Sequence, residues 1–267
     1  MTSPLPRQVD LEAYLAKPVP CAHNLRKLFS LGRPLVIFDI GACEGEDSIR
    51  YARMFPKARV FTFEPLPANQ AIIRANFARY GMNPRAELVP LALADRVGPA
   101  DFHVSAGVPD GAVEDAAWNH GNKSSSLLPP SGAAPMHGWI KFPEKITVDC
   151  ETLDAFCDRR SVGRIDFIHL DVQGAEGAVL AGAARMLPHV GAVWMEVSNQ
   201  ELYRGQKLRT EIERLMRSRG FWLADQDQRE IEGDQFYVNL RSPAALLWLA
   251  GTTLRPLRRR LGLIPRA

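Results

Sequence analysis

The sequence predicts an α/β fold: a mostly parallel seven-stranded sheet with a terminal antiparallel hairpin and helices on both faces. Short apolar segments alternate with helically periodic segments along most of the 267 residues. The first apolar segment ends at a glycine-containing turn that leads directly into a helical pattern, and only a polar loop joins the last two apolar segments. Alternation favours parallel pairing, because parallel strands need a long crossover connection, whereas a short loop favours antiparallel pairing.

The predicted elements follow one another closely, with one irregular interruption. Each predicted strand is a short apolar run, and each predicted helix has apolar residues three or four positions apart. Glycine or proline ends most of the helices. In chain order we expect strand 35–40, helix 46–55, strand 59–63, helix 68–80, strands 86–93 and 100–105, a strand around 146–148 that pairs with 100–105 as a hairpin, helix 152–159, strand 164–171, helix 175–187, strand 191–197, helix 206–219 and strands 221–225 and 235–240.

The interruption is the segment 106–144, which is rich in Gly, Pro, Ser and Ala. Loops of this length inside a domain are usually lids, binding loops or mobile segments. The segment also carries large aromatic and imidazole side chains, which argue against a disordered insertion: Trp118, His120, His137 and Trp139. We therefore expect a lid or substrate loop.

The two ends of the chain differ from the predicted domain at 34–240. Residues 1–33 predict a helical extension, whereas residues 241–267 contain six arginines and no acid. Removing these six charges from the net charge of +3 leaves about −3, which argues against nucleic acid as a partner. In this basic, amphipathic tail, the apolar stretch Ala244–Ala250 could lie on an anionic membrane surface or pack on the domain as a helix. Both alternatives stay open.

Composition predicts a cytoplasmic protein, with the inner face of the membrane as the site where the tail would act. Hydrophobic residues make up 46% and charged residues 24%, as in soluble globular proteins. The sequence has no run of about 18 apolar residues and no pattern of a secretory signal. The cysteines lack zinc-type spacing and predict reduced thiols: Cys21, Cys43, Cys150 and Cys157.

The turn after the first strand indicates the cofactor. Gly41 and Gly45 let the backbone approach a ligand closely, Asp39 precedes them and two further acids follow. Acids would repel the pyrophosphate of NAD but suit the ammonium and sulfonium groups of S-adenosylmethionine. Glu64 ends the second strand, where it can accept hydrogen bonds from two ribose hydroxyls. An ordinary turn whose glycines serve only packing is the alternative.

Acidic residues end five predicted strands: Asp39, Glu64, Asp95, Asp171 and Glu196. Ligands of open α/β sheets bind beyond the carboxyl ends of the strands, so these residues predict an acidic crevice. Asp95 follows Glu64 in strand order and is placed to accept a hydrogen bond from the adenine amine.

The strand at 164–171 carries the catalytic candidates. Asp171 and His169 are two residues apart and therefore share one face. Either could act as the base for an attacking hydroxyl, which contributes about 10²–10⁴-fold; a merely buried, hydrogen-bonded His169 is the alternative. Asp171, with Glu196 and Asn199, could bind Mg²⁺ and so acidify the hydroxyl. A catalytic site without metal, with Glu196 in a hydrogen-bonded strand end, is equally compatible with the sequence.

Seven segments resemble the FkbM-type S-adenosylmethionine-dependent methyltransferases: FDIGACEGEDS, FEPLP, PLALAD, NKSSSL, TLDAF, IHLDVQGAEGAVLAGA and VWMEVS. The resemblance covers about residues 34–240 and implies a Rossmann-like class I methyltransferase fold. It implies cofactor binding by Asp39, Gly41, Gly45, Glu64 and Asp95. It also implies an active-site role for Asp171 and Glu176. Ser125, in the serine motif, would contact cofactor or substrate. The family often has Lys at the position of His169.

These observations predict an S-adenosylmethionine-dependent O-methyltransferase acting on a hydroxyl of a sugar, a glycan or a polyketide-type natural product. The expected partner is a small-molecule or glycan acceptor, and no oligomeric state is indicated. Two alternatives remain. One is an N- or carboxyl-methyltransferase on the same scaffold, and the other is a non-catalytic cofactor-binding module of a glycan assembly complex.

Overall fold

Two β-sheets organise the chain, of which a computed structural model describes residues 11–109, 121–131, 138–242 and 245. In chain order the strands are β1 (Val36–Ile40), β2 (Arg59–Phe63), β3 (Ala86–Val89), β4 (Ala92–Leu93), β5 (Gly98–Ala106), β6 (Lys141–Glu151), β7 (Ile165–Leu170), β8 (Val190–Ser198), β9 (Phe221–Gln228) and β10 (Glu232–Asn239). Seven of them form the main sheet in the order β3-β2-β1-β7-β8-β10-β9. Only the pairs made by β10 are antiparallel, so the predicted parallel sheet with a terminal hairpin is confirmed.

Helices cover both faces of the main sheet, as predicted. They are α1 (Leu11–Ala16), α2 (Ala22–Leu28), α3 (Glu46–Met54), α4 (Pro67–Arg79), α5 (Leu153–Arg159), α6 (Glu176–Ala181) and α7 (Arg209–Ser218). Side chains alternate between the faces of a strand, so Ile37 of β1 packs with α1 to α4, whereas Phe38 packs with α5 to α7. Each fully buried side chain of this size stabilises the fold by about 1.5–3 kcal/mol.

The second sheet has the order β4-β6-β5 and extends the fold over the carboxyl ends of the main strands. β5 and β6 pair in antiparallel fashion with Ala100 opposite Val148 and Phe102 opposite Ile146, which confirms the predicted hairpin. Phe102 and Val148 belong to a small separate apolar cluster. Among the described residues, no helix is long and apolar enough to cross a membrane.

Two predicted elements are wrong in extent. The predicted strand 86–93 is divided into β3 and β4, because Pro90 lies between them and has no N–H for the ladder. β4 then pairs with β6 of the second sheet. The predicted helix 175–187 ends at Ala181, where Gly182 is a poor helix former. Pro188 lies in a separate 3-10 turn, Leu187–His189.

Several predictions fall on residues outside the described ranges. They concern Trp118, His120 and His137 of the irregular segment, and the tail, of which only residues 241, 242 and 245 are described. Trp139 is described, and Ala245 is buried in the core cluster that contains α1 and α2.

Candidate active site

The turn between β1 and α3 passes very close to the end of β7. Gly41 has a φ of +85°, and a Cβ added there would overlap the main-chain oxygen of Asp171. Gly45, with a φ of +76°, immediately precedes α3, and its Cβ would meet Phe77 of α4 at 3.1 Å. Gly41 therefore permits the approach of the turn to β7, and Gly45 permits the tight entry into α3.

A cavity of about 210 Å³ lies at this turn, beyond the carboxyl ends of β1, β2 and β7. Five acids line it: Asp39, Glu46, Asp47, Glu64 and Asp171. Apolar side chains form another part of the wall: Phe63, Leu91, Ala92, Leu93, Phe102 and Leu127. The cavity thus combines negative charge with an apolar surface that suits an aromatic ring system.

Glu64 is held rigidly at this cavity. Its Oε2 accepts a hydrogen bond from the N–H of Cys43 at 2.9 Å, and its Oε1 accepts one from the N–H of Leu66 at 2.8 Å. Burial raises the pKa of Glu64 to about 8, although these two backbone hydrogen bonds oppose the shift. Ribose hydroxyls that donate to the carboxylate would stabilise its ionised form further.

His169 lies beside Asp39 because β1 and β7 are neighbours in register. Its Nδ1 forms no hydrogen bond with the described residues, but it lies 3.3 Å from Oδ1 of Asp39 and 3.9 Å from Oδ2 of Asp47. Burial lowers the pKa of His169, yet these two carboxylates outweigh burial and raise it to about 9. At neutral pH the imidazole is therefore a cation between two acids, and it has no lone pair with which to accept a proton.

Gln173 connects two of the predicted catalytic carboxylates. Its Nε2 donates to Oδ1 of Asp171 at 2.7 Å and to Oε2 of Glu196 at 3.0 Å, and its Oε1 accepts from the hydroxyl of Tyr203 at 3.1 Å. Burial raises the pKa of Asp171, and the hydrogen bond from Gln173 opposes this shift. Asp171 and Gln173 both line the cavity, whereas Glu196 lines a neighbouring cleft with Tyr203 and Glu232.

Three carboxylates of this region approach one another closely. One oxygen atom from each of Asp171, Glu176 and Glu196 lies within 4.8 Å of the others. Oε1 of Glu176 also accepts hydrogen bonds from the N–H groups of Val172 and Gly174. Glu176 is therefore the third member of this carboxylate group. The sequence analysis had predicted Asn199 as the third metal ligand.

Two predicted site residues lie elsewhere. Asn199 is exposed, because it lies in the connection from β8 to α7, and its side chain bonds to Arg209 and to the main-chain oxygen of Glu230 in the β9–β10 loop. Asp95 does not line the cavity: its side chain is 50% exposed and pairs with Arg96 at 3.2 Å. The prediction for Asp95 assumed that β3 continues to its position, whereas β4 leaves the main sheet.

Residues 121–131 of the segment 106–144 close over the turn, whereas residues 141–144, expected to be irregular, belong to β6. Ser125 lines the cavity, and its Oγ accepts a hydrogen bond from the N–H of Ser105 at 2.9 Å. Lys123 also lines the cavity, with its Nζ 2.9 Å from Oε1 of Glu46 and 3.4 Å from Sγ of Cys43. Tyr14 of α1 contributes to the wall as well.

Sequence reasoning missed three of these residues. Lys123 and Gln173 belong to the motifs NKSSSL and HLDVQGAE, so a signal existed, but within these motifs roles were given only to Ser125, His169, Asp171 and Glu176. Tyr14 lies in a short helix with no motif, and no sequence signal connects it with the cavity.

Comparison with known proteins identifies the family of this site. A family model described as the methyltransferase FkbM domain matches residues 39–223. The chain belongs to the FkbM methyltransferase family. As a member of this family, it is a methyltransferase that uses S-adenosylmethionine and acts on a small-molecule or glycan acceptor.

Individual relatives agree with this assignment. The 2-O-methyltransferase NoeI of Sinorhizobium fredii (strain NBRC 101917 / NGR234) is 37% identical over 206 residues, which are 77% of this chain and 80% of NoeI. The AMB antimetabolite synthetase AmbE of Pseudomonas aeruginosa is 25% identical over 218 residues, 76% of this chain but 10% of AmbE. A crystal structure of a methyltransferase FkbM from Methylobacillus flagellatus KT has a TM-score of 0.50 at 15% identity, covering 85% of this chain and 50% of that one. The last similarity concerns the fold alone.

The FkbM resemblance also bears on His169. The resemblance implies Lys at this position in many members, and Asp39 and Asp47 raise the pKa of His169 to about 9, which favours a positive charge there as well.

Proposed function

We propose that this FkbM methyltransferase transfers the methyl group of S-adenosylmethionine to a hydroxyl group. A sugar or glycan is the first candidate for the acceptor, and a polyketide-type product is the second. The observation that carries this proposal is the position of Asp171. Its carboxylate lines the cofactor cavity and is joined through Gln173 to Glu196 in the neighbouring cleft. An acceptor that enters the cavity beside the cofactor would have a hydroxyl within reach of Asp171.

The residues of the cavity fit S-adenosylmethionine. Glu64 offers a fixed carboxylate to two ribose hydroxyls, and the apolar wall suits the adenine ring. Asp39 and Asp47, on either side of the glycine turn, provide negative charge for the ammonium and sulfonium groups. Ser125 would contact the cofactor from the closing segment. When bound, the cofactor supplies an electrophilic methyl group.

The chain's own residues orient the acceptor and take its proton. Asp171 accepts a hydrogen bond from the acceptor hydroxyl, which fixes the oxygen in line with the methyl group, and then receives the proton. Gln173 holds Asp171 in place and favours its ionised form. His169, being a cation, balances Asp39 and Asp47 and is not the base. Residues 121–131 exclude water by covering the turn.

The charge of the cofactor cavity favours a hydroxyl over a carboxylate as the acceptor. Five acids, Asp39 and Asp171 among them, line the cavity, so an acceptor carboxylate would be repelled. Hydroxyl groups donate hydrogen bonds to carboxylates, and a sugar carries several of them. NoeI, by its name, is a 2-O-methyltransferase, which also supports oxygen as the acceptor atom. An amine would suit the charge too and is the second candidate.

We also propose that the protein binds Mg²⁺ in addition to S-adenosylmethionine. Asp171, Glu176 and Glu196 offer oxygen ligands of the kind Mg²⁺ prefers. The N–H group of Gln173 points at these carboxylates and would be unfavourable next to a cation. Rotation of the side-chain amide by half a turn would place its oxygen there instead, so the ligand atoms are compatible with Mg²⁺. A bound cation would hold and acidify the acceptor hydroxyl.

We propose that the tail, residues 241–267, makes peripheral contact with an anionic membrane. This contact would bring a cytoplasmic enzyme to the inner face of the cell membrane. It rests on the six arginines of residues 241–267 and the apolar stretch before most of them.

The experiment compares cells with and without the gene by mass spectrometry of glycans and small metabolites. We expect deletion to remove a methyl increment of about 14 Da from one class of sugar-containing product. The purified enzyme should restore it in vitro, and fragmentation should place the methyl group on oxygen. A methyl group found on nitrogen, or no methyl loss in any product, would contradict the proposal.

A further inference from the structure

The edge of the main sheet opposite the cofactor cavity carries a row of cations. The parallel strands and β9 begin at this edge, and β10 ends there, because β10 is antiparallel to both of its neighbours. No acid occurs in the stretches of chain that form this edge, which are residues 29–35, 55–59, 80–86, 160–165, 187–190, 219–221 and 239–242. The same stretches place eight cations at the ends of six of the seven strands, and we call this surface the basic edge: Arg33, Lys57, Arg59, Arg85, Arg160, Arg164, Arg219 and Arg241.

The two acids that pair with these cations do not neutralise the basic edge. Asp166 lies 2.5 Å from a guanidinium nitrogen of Arg164 and 3.8 Å from one of Arg33. Glu87 is likewise shared by two arginines, at 2.7 and 3.1 Å: Arg160 and Arg59. One carboxylate between two guanidinium groups leaves a positive charge in each place. Three further cations of the edge are exposed and form no salt bridge with another described residue: Lys57, Arg219 and Arg241.

Large apolar side chains are exposed at the same edge. Three of the four that are exposed within the described ranges belong to it: Leu31 at 49%, Leu240 at 41% and Trp222 at 56%. Trp222 is the second residue of β9, the outermost strand. Tryptophan and leucine beside cations are typical of surfaces that enter the headgroup region of a membrane. A nucleic acid would also neutralise the cations, but its phosphates offer no apolar contact to exposed leucines.

The basic tail continues from this edge. β10 ends at Asn239, Arg241 follows, and residues 246–267 contain five more arginines and no acid. Seven strands about 4.8 Å apart make a row about 30 Å long. Such a row suits an extended, flat, negatively charged partner.

We propose that the basic edge docks on an anionic membrane surface together with the tail, so that the cofactor cavity faces the aqueous side. This inference rests on the membrane contact proposed for the tail and adds the domain surface and the orientation. β1 has five residues, so about 17 Å separates the two edges of the sheet. The methyl acceptor then enters the cavity from the aqueous side.

The test is co-sedimentation with vesicles of phosphatidylcholine and phosphatidylglycerol. Four proteins are compared: the full chain and the chain without residues 246–267, each with and without the pair Lys57→Gln and Arg219→Gln. In the full chain this pair should lower the partition coefficient about 25-fold, because each cation near an anionic surface contributes about fivefold. The pair and the deletion together should leave only the binding seen with phosphatidylcholine alone.

A matched pair of substitutions removes the same charge from the other side of the sheet. Arg204 is exposed in the connection after β8, and Lys145 pairs with Asp101 on the β5–β6 hairpin. Arg204→Gln with Lys145→Gln should keep the affinity within about twofold, because charges farther than about 8 Å from the surface are screened.

A second measurement needs no variant and so covers the case in which a variant does not fold. On vesicles, amide hydrogens of residues 29–35 and 219–222 of the full chain should exchange more slowly, whereas those of the turn 41–45 should not change. Slower exchange at 41–45 alone would overturn the orientation.

The outcomes separate this inference from the proposal for the tail. Wild-type affinity in the Lys57→Gln and Arg219→Gln pair would overturn the basic edge and leave the tail contact in place. A loss in this pair, with unchanged binding after the deletion, would overturn the tail contact and leave the edge. Tighter binding to a short DNA duplex than to the vesicles, lost in the same pair, would make the edge a nucleic-acid surface and overturn the inference.

Discussion

The side-chain amide of Gln173 donates a hydrogen bond to the carboxylate of Asp171, with 2.7 Å between Nε2 and Oδ1. The same nitrogen reaches Glu196 at 3.0 Å, so a single amide holds two half-buried carboxylates at a defined separation. A hydrogen-bond donor between the two carboxylates favours their ionised forms. Asp171 must be ionised at neutral pH if it is to accept a proton.

Replacing Gln173 with methionine should move the acidic limb of the pH–rate profile to higher pH. Burial already raises the pKa of Asp171, and the hydrogen bond from Gln173 opposes that rise. Without the bond the pKa rises further, so the base becomes protonated at a pH where the wild-type residue is ionised. Activity should therefore fall most at acidic pH and recover at alkaline pH. The measurement is kcat/KM against pH, and a profile that falls equally at every pH would assign Gln173 a purely structural role.

Asp171→Asn should preserve the fold and the cofactor affinity, because the two side chains are nearly isosteric. Turnover should fall by at least about 10²-fold, the lower range for the loss of a positioned base. Single-turnover kinetics with saturating cofactor measure this effect without the contribution of product release. Asp95→Asn is the matched control, since Asp95 lies outside the cavity and should leave the rate unchanged. Wild-type speed in Asp171→Asn would remove Asp171 from the chemistry.

Removal of divalent cations decides whether Mg²⁺ takes part. If Asp171, Glu176 and Glu196 hold Mg²⁺, EDTA should abolish the activity and added Mg²⁺ should restore it. Glu176→Gln should then weaken Mg²⁺ binding in a calorimetric titration. Full activity in EDTA would eliminate the metal and leave the base role of Asp171 intact.

Glu64→Ala should weaken binding of S-adenosylmethionine by about 10- to 150-fold, the range for a charged hydrogen bond to the ribose. The fold should persist, since Glu64 lies at the wall of a cavity. Calorimetry measures the affinity, and circular dichroism checks the fold. An affinity equal to that of the wild type would mean that Glu64 does not contact the cofactor.

Deletion of residues 246–267 should reduce co-sedimentation with anionic liposomes, because it removes five of the six arginines of the tail. The deletion begins after Ala245, which is buried in the core. Neutral liposomes serve as the control. Unchanged sedimentation with anionic liposomes would argue that the tail has another role.

The sheet could be predicted from the sequence because each strand is a short apolar run bounded by a turn or a helix. The position of Asp39, Glu64 and Asp171 followed from the strand ends, since these three strands are adjacent in the sheet. Asp95 was misplaced because Pro90 breaks the strand, and the chain then joins a different sheet.

The rest of the site depends on contacts between distant parts of the chain. Lys123 reaches Glu46 across 77 positions in the sequence, and Tyr203 reaches Gln173 across 30. Asn199 was expected beside Asp171 but lies in a connection whose hydrogen bonds turn it outward. Periodicity and spacing describe local structure only and carry no information on such long-range contacts.

The placement of Tyr14 at the cavity wall has a consequence for the start of the chain. The family model begins at residue 39, yet α1 supplies part of the cavity, and Arg50 of α3 fastens the chain after it by donating to the main-chain oxygen of Lys17 at 3.1 Å. A ligand that touches Tyr14 binds only the docked form of α1, so by mass action it must also stabilise docking. Amide hydrogens of residues 11–28 should therefore exchange more slowly with solvent when the cofactor is bound. The exchange rate of the N-terminal helices would then report whether the cofactor site is occupied.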